Sequence, residues 1–116
     1  MGKNPLNRIV FPVVDFFVIE KNQTVVNRIK KALSSKQYRC IGVAVVGKYS
    51  KNILMEIPFP PDVFLVGNVE NPMEVVFAVK LNFPNVMILR VYDKTHLQND
   101  DSLVYVGTYI NGFIVL

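Results

Sequence analysis

The most polar stretch of the chain, Asp93-Lys94-Thr95-His96-Leu97-Gln98-Asn99-Asp100-Asp101, places the only histidine among three carboxylates. An imidazole that titrates near neutrality beside carboxylates is the raw material of a metal site or of general acid–base catalysis. The spacing goes no further: there is no Asp-x-Asn-x-Asp loop with a distal Glu and no second histidine, and Ser102 lacks the Gly-x-Ser-x-Gly setting that activates a nucleophile. A solvated loop is therefore the expected state of His96. Cys40, the single cysteine, excludes a disulfide within the chain and a thiolate-rich metal site, and implies synthesis in a reducing compartment. At the head of an apolar strand it reads as a small hydrophobe rather than a nucleophile. Gly42, Gly47, Gly67, Gly107 and Gly112 stand singly at strand ends and form no phosphate-cradling loop. No catalytic, metal-binding or cofactor-binding residue is expected, and the chain reads as a binding or assembly module rather than an enzyme.

The features that could bind are charge and apolar surface. Residues 1–51 carry ten Lys or Arg against Asp15 and Glu20, a balance of +8, whereas residues 52–116 carry three against seven acids, a balance of −4. The basic members Arg28, Lys30, Lys31, Lys36 and Arg39, with Lys21, form a candidate face for an acidic partner. A phosphate backbone would suit them too, but no aromatic residues interleave with them beyond Tyr38 and no nucleic-acid motif is present, so nucleic acid is not the expected partner. Tyr49, Tyr92, Tyr105 and Tyr109 could stack on sugar rings, although cross-strand packing is the commoner fate of tyrosines in strands. A hydrophobic content of 51% in 116 residues is high for one small domain and implies that other subunits cover part of the surface. No apolar run approaches the roughly 18 residues needed to cross a bilayer. The N-terminal residues fit neither a signal peptide nor a myristoylation site, since Leu6 stands where Ser or Thr belongs.

These residues need elements to position them. Ile9 to Ile19 reads as a long strand with both faces apolar, one facing the core and the other calling for cover from a helix, a loop or a neighbouring subunit, the last expected over Phe16 and Val18. From Thr24 to Ser35, Val25, Val26, Ile29, Ala32 and Leu33 recur at helical spacing behind a cap at Asn22 or Thr24, which predicts one amphipathic helix. Tyr38 to Val46 is a second strand apolar on both faces. Short strands are then expected at about 51–59, 62–69, 73–82, 85–93, 103–110 and 112–116, separated by Asn71-Pro72, Asn82-Phe83-Pro84-Asn85 and the hairpin dipeptide Asn111-Gly112. Even spacing of this kind predicts a mainly β chain, an antiparallel β-sandwich of jelly-roll or lectin-like form. The expected organisation is one domain, with residues 1–46 as a strand-helix-strand attachment element and 47–116 as the sandwich.

Within the second part, Gly47-Lys48-Tyr49-Ser50, the run Ile53 to Pro61 with Phe59-Pro60 at its end, Asp62 to Gly67, and Asn111-Gly112-Phe113-Ile114-Val115 follow an order that resembles the small β-sandwich at the ends of bacteriophage tail and head fibres, itself similar to H-type lectins. The resemblance spans about Val45 to Leu116 and touches structural positions rather than a sugar site. It implies a homotrimeric virion structural protein, for capsid decoration or a short head or tail fibre, made in the host cytoplasm and partnered by other virion proteins. Arg28, Lys30, Lys31, Lys36 and Arg39 would then dock onto the particle, and Phe16 and Val18 would meet neighbouring subunits. A lectin-type glycan-binding module and a small basic nucleic-acid-binding protein are the alternatives.

Overall fold

The computed structural model describes residues 12–93 and 105–116. The strands are β1 (Val14–Glu20), β2 (Tyr38–Val45), β3 (Val63–Val66), β4 (Met87–Tyr92) and β5 (Gly112–Val115). Helices α1 (Gln23–Ala32), α2 (Lys51–Met55) and α3 (Pro72–Asn82) alternate with the first four strands. All five strands are parallel and lie in one sheet in the order β2-β1-β3-β4-β5. The antiparallel sandwich is therefore overturned, and with it the structural basis of the phage-fibre resemblance: residues 1–46 and 47–116 contribute strands to the same sheet.

The apolar character of the strands has a simple cause. A parallel sheet needs crossover connections, which place helices on its faces, so central strands are buried on both sides and lose the polar–apolar alternation. Phe17, Ile19, Phe64, Val66 and Ile88 point to one face, packed with Ile53 and Leu54 of α2 and Val75, Val76 and Val79 of α3. Phe16, Val18, Leu65 and Val91 point to the other, under Val25, Val26 and Ile29 of α1. Crossovers are right-handed. The chain moves one way along the sheet from β1 to β2 and the other way from β2 to β3 and β4, so α1 falls on the opposite face from α2 and α3. The cover expected from other subunits comes from the chain's own helices: Phe16 is 2% exposed and Val18 is fully buried.

Each helix shows why it forms. Asn22 caps α1, its side-chain oxygen accepting from the Thr24 amide at 2.8 Å, and Lys30 and Lys31 sit in the last turn where the helix dipole favours cations. This helix overlaps the stretch assigned from sequence, starting one residue before Thr24 and ending three before Ser35. The other two replace predicted strands. α3 takes up 73–82: Pro72 opens it at a position where proline's missing amide costs nothing, Glu74 occupies its first turn and Lys80 its last. α2 falls in 51–59 and is a single five-residue segment behind Ser50. Asn111-Gly112 makes no hairpin, because β5 runs parallel to β4 and the Asn111 side chain accepts from the Ile88 amide at 2.9 Å. Of the predicted strand 103–110, the described part, 105–110, is turn, with one isolated bridge from Val106 to Ile110.

Candidate functional site

In a sheet of this order the connections from β1 and β3 leave toward opposite faces, so a crevice opens outside the carboxyl ends of those two strands, the usual ligand position in open α/β folds. The crevice here has a volume of about 310 Å³ and is lined by Glu20 at the end of β1, Lys21 and Asn22 after it, Val25 of α1, Asn68 after β3, Arg90 to Tyr92 at the end of β4 and Asp93 beyond it. Two ionisable residues are built into it.

Glu20, the last residue of β1, is 1% exposed. Burying a carboxylate is costly unless hydrogen bonds replace water. Two backbone amides do so: Asn22 N–H donates to Glu20 Oε2 and Asn68 N–H to Oε1, both at 2.7 Å. The carboxylate thus ties the entry of α1 to the exit of β3. Gly67 lies against it, and any β-carbon there would run into the Glu20 carboxylate. Arg90 is 3% exposed inside the otherwise apolar strand Met87-Ile88-Leu89-Arg90-Val91-Tyr92. Its Nη1 donates to the Val66 carbonyl at 2.6 Å and also to the Gly67 carbonyl, and the guanidinium stands 5.0 Å from the centre of the Tyr92 ring. Successive carbonyls of a regular strand point in opposite directions. Their convergence on one nitrogen marks where β3 leaves the sheet. At the rim, Arg28 of α1 reaches Asp93 at 3.2 Å.

The residues singled out from sequence do not assemble into one site. Phe16 and Val18 are interior. Arg28 joins the crevice rim through Asp93, whereas Lys30, Lys31 and Lys36 are exposed on α1 and the turn after it. Arg39 lies at the opposite end of the sheet, where its Nε and Nη2 donate to the two carboxylate oxygens of Asp15 at 2.6 and 3.0 Å. That guanidinium lowers the Asp15 pKa below its ordinary value, chiefly by hydrogen bonding, and the carboxylate raises that of Arg39 in turn. His96 and the acids that follow it lie outside the described residues. Cys40 is half-buried, with its thiol 3.5 Å from the Gly42 carbonyl. Among the described residues no group of His, Cys, Asp and Glu could hold a metal ion, and no helix is long and apolar enough to cross a membrane. Glu20 and Arg90, which the sequence reading passed over as ordinary charges, carried one signal each: a single charge at the end of, or inside, an apolar strand must find a buried partner.

The sequence matches no protein-family model and no curated protein. The fold does have counterparts. The isolated receiver domain of RcsB from Salmonella enterica serovar Typhimurium, with the phosphomimetic beryllofluoride, superposes with a TM-score of 0.69 at 14% identity, covering 89% of this chain and 77% of that one. The response regulator TrrA from Thermotoga maritima, bound to magnesium and beryllofluoride, gives 0.65 at 14% identity, covering 90% and 87%. A response regulator receiver domain protein from Clostridium thermocellum gives 0.69 at 15% identity, covering 89% and 82%. RcsB bound to promoter DNA is also similar, but this chain spans only 59% of that protein. The likeness establishes the fold, and at identities this low it leaves function open. It is sufficient to correct the phage reading: with no sandwich there is no ground for a virion structural protein, a trimeric fibre, a glycan-binding lectin module, virion partners or a virion location. The third alternative, a nucleic-acid-binding protein, is not favoured by the basic residues, since Arg28 is paired with Asp93 and Arg39 with Asp15.

Proposed function

We propose that this chain is a signalling domain of the receiver type, not an enzyme, which acts by presenting one helical face to a partner protein. The observation that carries this reading is the outer surface of α2 and α3. Met55 and Leu81 are 80% and 84% exposed, and a groove of about 490 Å³ between the two helices is lined by Tyr49, Leu54, Met55, Leu81 and Phe83, with Lys51 and Asn82 among its polar members. Soluble domains seldom leave large apolar side chains clustered in this way unless something docks there. The receiver-type neighbours support the signalling class. Carry-over of promoter binding from full-length RcsB is not part of the proposal, because the match covers little more than half of that protein.

Photo-crosslinking tests it. With a photoreactive residue at Leu81, and as a control at Lys30 on the opposite face, the expected result is a specific adduct with another signalling protein at Leu81 alone. Equal labelling at both positions, or none at Leu81, would overturn the reading.

A further inference from the structure

We infer that the guanidinium of Arg90 permanently occupies the carboxyl-edge crevice, where a ligand of an open α/β fold would bind, so that the crevice is closed to magnesium. The inference rests on the receiver reading, since the magnesium and beryllofluoride held by TrrA are what make such a site the expectation. Magnesium binds through one or two carboxylates and keeps an octahedron of oxygens. Among the described residues the crevice offers no such set. Each oxygen of Glu20 already accepts a backbone amide, from Asn22 and Asn68, and the side chain is 1% exposed, so it is held away from an incoming hydrated ion. The exit of β3 is Gly67, where a side chain would collide with Glu20, and then Asn68, which brings no charge. Asp93 faces Arg28. Among the described residues, the Val66 and Gly67 carbonyls converge at the strand end, and one nitrogen of Arg90 already binds both. A fixed positive charge at that point also repels a second cation. Arg90 therefore does structurally what a bound ion would do, with no exchange and no dependence on phosphorylation, and the carboxyl edge of the sheet is held in one state.

The test uses the whole chain, labelled with nitrogen-15. Millimolar magnesium followed by beryllofluoride should leave the amide resonances of Glu20, Gly67, Asn68 and Asp93 where they are. A saturable shift at those amides would overturn the inference and would strengthen the receiver reading, whereas failure of crosslinking at Leu81 strikes that reading alone. In Arg90→Met, which keeps the apolar stem and loses the charge, hydrogen exchange at the Gly67 and Asn68 amides should speed up by about tenfold or more, in keeping with the loss of a charged hydrogen bond. Unchanged exchange there would show that Arg90 does not hold the strand end. If Arg90→Met fails to fold, Arg90→Lys provides the same reading: a lone ammonium should leave those amides faster than in the unaltered protein, and wild-type rates would overturn the inference.

Discussion

The two ends of β1 hold an acid apiece in contrasting ways. Glu20 closes the strand and is almost fully buried, its oxygens met by two backbone amides. Asp15 lies near the strand's start and is met by Arg39, its register neighbour on β2, whose side chain is 62% exposed. Backbone donors are placed by the fold and cannot swing away, and no water competes for a buried oxygen. A long side chain at the rim can swing away, and salt screens it. One acid is part of the architecture and the other decorates it.

Removing the buried acid should have the largest effect. Glu20→Ala leaves the Asn22 and Asn68 amides without their acceptor, so a loss of about 3 kcal/mol is expected from two charge-assisted bonds, measured by urea denaturation. Glu20→Gln keeps the shape and one acceptor oxygen and should fall between the alanine variant and the unaltered protein. Gly67→Ala should cost about 1–3 kcal/mol, because the added methyl must displace the Glu20 carboxylate within a packed site. Combining the two substitutions sharpens the comparison. With Glu20 trimmed the methyl has room, so the double variant should be more stable than the sum of single losses predicts. Strict additivity would mean that the clash is relieved elsewhere.

This contrast was partly legible in the residues. Both-face apolarity in Ile9–Ile19 and Tyr38–Val46 is what a buried parallel strand produces, and α1 could be read from its period and its cap. The cover was misplaced because α3 conceals its nature: Val75, Phe77, Val79 and Leu81 alternate with Val76 and Ala78, so an all-round apolar helix imitates a strand buried on both faces. Asn71-Pro72 was the available clue, read as a turn when proline at a first helical position was equally open. α2 is too short for any period to emerge. The misreading compounded, since a chain with one helix leaves its strands nothing to pack on but each other or another subunit. The crevice was hidden for a different reason. Glu20, Gly67 and Arg90 are far apart in sequence and belong to no motif, and only the strand order brings them together.

Between the extremes lies Asn22, whose amide meets Glu20 while its side chain caps α1. Asn22→Ala removes only the cap and leaves the backbone donor, so a loss of about 1 kcal/mol is expected. A loss as large as that of Glu20→Ala would show that the cap and the carboxylate act as one unit.

The smallest effect belongs to the rim. Asp15 has its pKa lowered in the folded chain from an ordinary 3.8, first by the hydrogen bond from Arg39. A depressed carboxylate contributes stability that is fully present above its unfolded pKa and lost as pH falls through the folded value, so the window lies below about pH 4. Arg39, raised in turn, would lose its contribution only in strong alkali. Asp15→Asn should therefore give a small deficit at neutral pH that shrinks in added salt and vanishes on acidification, as the unaltered protein loses the same interaction. The Glu20→Ala deficit at neutral pH should ignore salt, because its partners are fixed amides out of reach of ions. If the Asp15→Asn deficit proved large and indifferent to salt, the rim pair would have to be counted with the buried acid as part of the framework, through the Asp62 carboxylate that accepts from the Asp15 amide at 2.8 Å and joins the starts of β1 and β3.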